Sequence, residues 1–233
     1  IKSDLIKRIG RLNLFRPISK HIRDHFSDPK IIQMLEFPSL LLGAKPSDTP
    51  ALYSIMNYAD IVLGTWYPSG GIRSVAKAVY EVARSVGVNF VFDSPIDEIL
   101  LQGKKVKGVM ATGNSYNGDI VVANADYHHV EQKMLPKKFR NYSESYWSNR
   151  TMSPSALLFY VGLNNKIEIP HHALFFDTDF NQHAKDIYDH PKWPESPLFY
   201  TSCTSKSDPN VAPESGETLF ILIPVATNLI DKE

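Results

Sequence analysis

A single cysteine, Cys203, is present in 233 residues. One thiol cannot build an internal disulfide framework, and it fits a reducing compartment. No apolar run approaches the roughly 18 residues of a membrane-crossing helix. Neither sign of charge prevails, since 25 basic and 25 acidic side chains leave a formal net charge of zero. That balance argues against a dominant nucleic-acid surface, and no nucleic-acid partner is expected. A G-x-G-x-x-G fingerprint is missing, no Lys-Ser or Lys-Thr follows the glycine pair Gly70-Gly71, and G-x-S-x-G is absent. A pyrophosphate loop, a Walker-type loop and a serine hydrolase elbow therefore find no support. There is no internal repeat and no low-complexity tract. The chain opens at Ile1 without a signal-like segment and stops just after the apolar run Leu219–Ala226. Both ends read as cuts through a longer protein.

Three regions differ in pattern. Residues 1–60 read as helical, with Leu5, Ile6, Ile9, Ile31, Ile32 and Leu35 at helical spacing and breaks at Pro17, Pro29 and Pro38. Ser27 or Asp28 is placed to cap a helix opened by Pro29. Residues 71–126 begin with the stripe Ile72, Val75, Ala76, Val79, Val82, Ala83 and Val86, ending at a cap glycine, Gly87. An apolar strand is expected at Val88–Phe92, then a meander of strands at Ile96–Leu101, Val106–Thr112 and Asp119–Ala123, turning at Gly103 and at Gly113-Asn114. Residues 151–225 hold strand candidates Ala156–Leu163, Ala173–Phe176, Leu198–Ser202 and Leu219–Pro224, separated by long polar, proline-bearing segments. They imply a largely antiparallel sheet in a second domain.

Several groups invite a chemical reading. Gly70-Gly71 is either a tight turn that starts a helix, or a place where missing side chains admit a flat ligand beside Trp66 and Tyr67. Val121–Asp126 ends an apolar run in small and short polar residues, as a plain loop or a ligand-side strand end would. His128-His129, His171-His172, Asp177, Asp179, His183 and Asp186 meet no metal-ligand spacing, and adjacent histidines in a strand face opposite ways, so no metal site is expected. His183 and Asp186 read as a solvated pair on one helix face. Cys203 reads as a small buried hydrophobe near a strand end. The early helix with Lys2, Lys7, Arg8, Arg11, Arg16, Lys20 and Arg23 is either an ordinary solvated face or one that lies on an anionic membrane.

Six blocks in order carry a family resemblance: LLLGAKPSDTPALYSIMNYADIVLGTWYPSGG (Leu40–Gly71), SPIDEI (Ser94–Ile99), VVANADYHHVEQKMLP (Val121–Pro136), YVGL (Tyr160–Leu163), HHALFFD (His171–Asp177) and SKSDPNVAPESGETLFILIPVA (Ser205–Ala226). The chain resembles the bacterial phytoene desaturases, the carotenoid desaturases of the FAD-dependent amine oxidase-like flavoproteins, over nearly its whole length. The resemblance implies an α/β (α+β) fold: the middle part of an FAD-binding flavoprotein, with an inserted substrate domain of mainly antiparallel sheet plus helices. It divides the chain into a helical lid at 1–70, part of the FAD-binding domain at 71–126, and substrate-domain sheet and helices at 127–233.

The resemblance also implies roles. The backbone around Pro95 and Ile96 would meet the adenine of FAD, and Ala123, Asn124, Ala125 and Asp126 would pass near that cofactor. Trp66, Tyr67, Pro68, Gly70 and Gly71 would join substrate cavity to flavin. The implied reaction removes two hydrogens across a carbon–carbon bond of a polyene, a hydride going to flavin and a proton leaving the neighbouring carbon. A hydrocarbon offers no hydrogen bonds, so recognition would rest on shape and apolar area, with Phe159, Tyr160, Phe175, Phe176, Phe199 and Tyr200 available to line a channel or to pack a core. The partners implied are a phytoene-like carotenoid and a membrane surface. The location implied is cytoplasmic, peripheral to the inner face of the membrane, with the first helix and Ser39–Gly43 as contacts. The flavin fingerprint and a second flavin segment of the family lie outside this sequence, so the piece by itself is expected to be inactive. Within the class, a carotenoid or retinoid saturase, a polyene isomerase or a carotenoid oxygenase remains open; outside it, a non-catalytic lipid- or partner-binding domain does.

Overall fold

In the computed structural model, which describes residues 14–150, 152–176 and 178–229, prolines open the first helices rather than only breaking them. Helix α1 (Ile18–Arg23) follows Pro17. Helix α2 (Pro29–Glu36) has proline in its first turn and Asp28 as its cap, whose carboxylate accepts from the backbone N–H of Lys30 at 2.8 Å and of Ile31 at 3.3 Å. Arg23 of α1 pairs with the buried Glu36 of α2. A short helix α3 (Pro38–Leu41) follows. Helix α4 (Ser54–Tyr58) runs into a π turn at Ala59–Leu63 that Gly64 ends. The expected basic helix around Leu5, Ile6 and Ile9, with Lys2, Lys7, Arg8 and Arg11, lies outside the described residues, as does Asp177.

Helix α5 (Ile72–Ser85) carries the apolar stripe read from the sequence. Its C-terminal cap is a Schellman motif, with Gly87 N–H donating to Arg84 and Val88 N–H to Ala83. Along the chain here one compact unit, which runs to Ala78 and resumes at Met152, gives way to a second, Val79–Thr151. The second unit holds an antiparallel meander in the order β1-β2-β3: β1 (Ile96–Gln102), β2 (Lys105–Ala111) and β3 (Asn114–Asn117). The meander is as expected, but its third strand is 114–117, not Asp119–Ala123. Val88–Phe92 is likewise no strand. Both segments are apolar, yet neither has a hydrogen-bonding strand partner among the described residues, and a strand is defined by its ladder. One-turn helix α6 (Tyr127–His129), capped by Asp126, leads through 130–134 and a connecting loop to α7 (Glu144–Ser148). The buried Glu131 ties these together, accepting from Asn141 N–H at 2.5 Å and from the Trp147 indole N–H at 3.1 Å.

The first unit resumes with β4 (Ser155–Leu163), β5 (His172–Phe175), α8 (Phe180–Tyr188), β6 (Phe199–Ser202) and β7 (Glu217–Val225). The strands form one antiparallel sheet in the order β4-β7-β6-β5, close to the four segments read from the sequence. Its core joins Phe37 of the α2–α3 junction and Leu40 of α3 to Phe180 and Leu198. Full burial of such side chains is worth about 1.5–3 kcal/mol each. Helix α8 corrects the reading of His183 and Asp186: both are buried, not a solvated pair. The His183 imidazole donates through Nε2 to the Pro224 carbonyl (2.8 Å) and accepts at Nδ1 from Leu198 N–H (3.1 Å), so both ring nitrogens are satisfied inside the core. Burial holds its pKa below the ordinary imidazole value. Ser39 and Leu40 are also buried, which removes these two residues of the Ser39–Gly43 stretch from any surface role, while Leu42 stays exposed.

Candidate functional site

The turn at Tyr67–Gly71 is built from its own backbone. Gly71 N–H donates to the Pro68 carbonyl at 2.8 Å, closing a four-residue turn with Gly70 at its third position. Gly70 and Gly71 have φ of +78° and +73°, the left-handed region that glycine enters without strain. A Cβ on Gly71 would lie 3.1 Å from the Tyr67 hydroxyl. The phenol thus folds back over bare backbone, and a side chain at 71 would displace it. Trp66 stands 87 % exposed, with its indole N–H on the Leu63 carbonyl at 3.2 Å.

Tyr67 begins a continuous row of rings. Its ring meets His171 edge-on with centroids 4.9 Å apart, and His171 stacks on His172 at 4.3 Å. His172 stacks on Tyr200 at 5.8 Å, with its Nδ1 2.5 Å from the Tyr200 hydroxyl. Tyr200 is 6.3 Å from Phe220, which is 5.2 Å from Tyr160. Strand pairing explains the row. Tyr160 lies opposite Phe220, Phe220 opposite Ser202, and Ser202 opposite His172, so these residues share one face of the sheet and Tyr200, two residues from Ser202, joins them. This face borders a cavity of about 560 Å³ lined by Tyr160, Tyr200, Phe220 and the hydroxyls of Ser202, Thr204 and Thr218.

The candidate lining residues therefore separate. Tyr160 and Tyr200 belong to the row. Phe159 and Phe199 line a cavity of about 500 Å³ with Ile221 and Ile223, the register placing Phe159 and Ile221 on the opposite face. Phe175 stacks on Phe199 at 4.4 Å, and Phe176 packs against the core beside Phe37. Cys203 is fully buried just after β6, as read from the sequence. Among the described residues no group of three or more His, Cys, Asp or Glu is gathered to hold a metal, and no helix is long and apolar enough to cross a membrane.

The second set of candidates lies in the other unit. Ile96 opens β1 and pairs with Ala111, Pro95 stands just before it, and β1 is an edge strand of its sheet. Ala123, Asn124 and Ala125 are exposed and outside any helix or strand. Asp126 accepts from the backbone N–H of His129 at 2.7 Å, so its carboxylate caps α6. Apart from the Asp126 carboxylate, which α6 takes as its cap, these residues offer backbone edges and small side chains. Among the described residues no glycine-rich loop joins a strand to a helix as a pyrophosphate site would require.

Sequence reasoning missed a polar layer under the turn. Asp208, between β6 and β7, is buried and accepts from Gly70 N–H at 2.8 Å and from Asn210 N–H at 3.0 Å. These two backbone donors, Asn210 first, hold its carboxyl below the usual carboxylate range. Nearby, Lys206 donates to the buried Glu217 at 2.6 Å and Ser205 donates to the same carboxylate, which holds Glu217 down to about 2. The run SKSDP at Ser205–Pro209 was visible as a block, but a partner 138 residues away in the chain leaves no local signature.

A model of the flavin containing amine oxidoreductases matches residues 6–228, and the chain belongs to that family. Its relatives include the carotenoid 3,4-desaturase of Haloarcula japonica, 37 % identical over 94 % of this chain and 45 % of the relative. The zeta-carotene-forming phytoene desaturase of Myxococcus xanthus is 27 % identical over 95 % of this chain and 43 % of its own length. A crystal structure of an oxidoreductase from Methanosarcina mazei superposes with a TM-score of 0.63 at 18 % identity, covering 91 % of this chain and 48 % of that one, and shows the shared fold. The chain thus spans about half the length of the relatives it matches.

Proposed function

We propose that the chain is the middle part of an FAD-dependent desaturase acting on a phytoene-like carotenoid. The observation that carries this reading is the row of rings from Tyr160 to Tyr67, which leads across an apolar sheet face to bare glycine backbone. A polyene is flat, long and without polar handles, so a row of ring faces and edges with few charges is the surface that would hold it. Gly70 and Gly71 put backbone without side chains at the end of the row, and the Tyr67 hydroxyl lies over Gly71. Pro95–Ile96 and Ala123–Asp126 would hold the flavin nucleotide through backbone groups. Flavin, when bound, supplies the acceptor for the two electrons that leave the carbon–carbon bond. The residues of this chain orient the polyene and keep water from the reacting carbons. Without a pyrophosphate loop the isolated chain is inactive.

We further propose that the whole protein works in the cytoplasm, peripheral to the inner face of the membrane, since a substrate that dissolves in lipid is drawn from a bilayer. Ile55, Ile61, Val62 and Leu63, exposed around the π turn, support contact there better than Ser39–Gly43 does.

The test is pigment extracted from phytoene-accumulating cells that express the full-length parent protein. New visible polyene bands are expected, and Tyr67→Ala or Tyr67→Leu should weaken them at unchanged protein level and melting temperature. A colourless extract from flavin-loaded wild type would turn the reading to a saturase or isomerase. Equal losses of colour and of folded protein in the variants would remove the turn from the site.

A further inference from the structure

We propose that His171 and Asp208 are positioning residues that fix the Tyr67–Gly71 turn, Asp208 through the backbone and His171 through the Tyr67 ring. The inference rests on reading that turn as the joint between substrate and cofactor.

The β6–β7 connection is held rigidly enough to act as an anchor. Lys206 and Ser205 bind Glu217, Thr218 N–H donates to Ser205 Oγ at 3.1 Å, and the Thr204 and Thr218 hydroxyls meet at 2.9 Å. From this anchored segment two consecutive side chains reach out, Ser207 to His171 and Asp208 to the turn itself. Ser207 Oγ lies 2.6 Å from His171 Nδ1, and the Asp208 carboxylate accepts from Gly70 N–H. The other Asp208 oxygen accepts from Asn210, through its backbone N–H and through its side-chain amide at 3.1 Å. Both carboxylate oxygens are engaged, and a buried, charged acceptor holds a backbone amide more firmly than a neutral one.

His171 is fixed at three points. Its carbonyl accepts from Cys203 N–H at 2.7 Å, its Nδ1 meets Ser207, and its ring sits between His172 and Tyr67. Its Nε2 is buried without a partner among the described residues. A proton on that nitrogen would be an unsatisfied buried donor, so the neutral ring with Nδ1–H directed at Ser207 is the favoured form. Burial, then His172 beside it, depresses the pKa in the same sense. The ring is therefore a fixed neutral wall for the Tyr67 edge. Because the Tyr67 hydroxyl lies over Gly71, the wall decides how much of the glycine backbone remains open.

The test uses the full-length enzyme and steady-state turnover of a dispersed polyene. His171→Phe keeps a ring beside Tyr67 and removes the Ser207 bond; Asp208→Ala releases Gly70. Each should lower kcat about tenfold or more while KM stays within about twofold, because geometry and not binding is lost. Asp208→Asn, which keeps an acceptor for Gly70 N–H, should recover most of kcat. Ser207→Ala, which deletes one hydroxyl and leaves the fold intact, should give a smaller kcat loss of about threefold. Wild-type kcat in His171→Phe, Asp208→Ala and Ser207→Ala, with Tyr67→Ala still impaired, would overturn the positioning role and leave the site. Wild-type turnover in Tyr67→Ala as well would overturn the site reading itself. Losses of kcat that only follow the fraction of folded, flavin-loaded enzyme, with no recovery in Asp208→Asn, would also overturn the proposal.

Discussion

Two apolar stretches of similar composition meet different fates in this molecule. Ala156–Leu163 becomes the body of β4 because β7 lies beside it in full register, from Ser155 opposite Val225 to Leu163 opposite Glu217. Val88–Phe92 is nearly as apolar, yet it forms no ladder among the described residues. Its rings meet α5 instead, Phe90 and Phe92 lying 4.5 and 6.0 Å from Tyr80. Residues 119–123 behave the same way, with Ile120 and Val122 exposed. The stripe of α5 is exposed too, Val82 standing 65 % open. The strands of both sheets find ladder partners, whereas 88–92 and 119–123 have none among the described residues and leave Phe92, Ile120 and Val122 open to water.

The comparison can be broken most sharply at two glycines. On Gly108 of β2, at φ +141°, a Cβ would fall 1.9 Å from the Tyr116 carbonyl oxygen, whereas on Gly162 of β4 it would meet nothing within 4 Å. Gly108→Ala should cost about 3 kcal/mol through strain and loss of the β2–β3 ladder. Gly162→Ala should be neutral or stabilise by about 0.5 kcal/mol. Denaturant unfolding of both variants checks the pair, and equal effects would erase the contrast between the sheets.

A smaller effect should appear with acid. Lys206 first, then Ser205, hold the Glu217 carboxyl at about 2, below its ordinary 4.5. As pH falls the unfolded chain takes up this proton before the folded chain does. Stability from Glu217 is then complete above about pH 4.5 and declines toward about pH 2. Glu217→Gln should start less stable and show a shallower decline over that window in pH-dependent melting. A slope equal to wild type would separate Glu217 from the ion pair.

The smallest effect is expected on the exposed stripe. Val79→Ser with Val82→Ser should change the stability of the chain by no more than about 0.5 kcal/mol per site. The same pair should reduce the binding of a hydrophobic dye to the isolated chain. A large destabilisation would mean that the stripe is already packed.

Much of this was legible in residues. The Asp28-Pro29 cap, the α5 stripe with Gly87, the first two meander strands and the four strands of the larger sheet all follow from local rules of spacing and capping. The failures share one cause. Val88–Phe92 and residues 119–123 had the composition of strands, but composition does not supply a ladder partner. His183 and Asp186 looked solvated because the i,i+3 spacing names a helix face without saying what covers it. In the candidate site, Trp66–Gly71 could be found from glycine and aromatic residues side by side. The bond from Asp208 to Gly70 could not, since neither residue has a reason to be near the other until the sheet is assembled.

That bond also has a meaning in time. Its partners are 138 residues apart, with the whole of Val79–Thr151 made in between. At about 5–20 residues per second, the glycine turn leaves the ribosome about 7–28 s before the carboxylate that fixes it exists. The turn is thus synthesised early and set last. A growing chain cannot hold this opening in its finished shape until the final strand of the larger sheet has brought the β6–β7 connection into place.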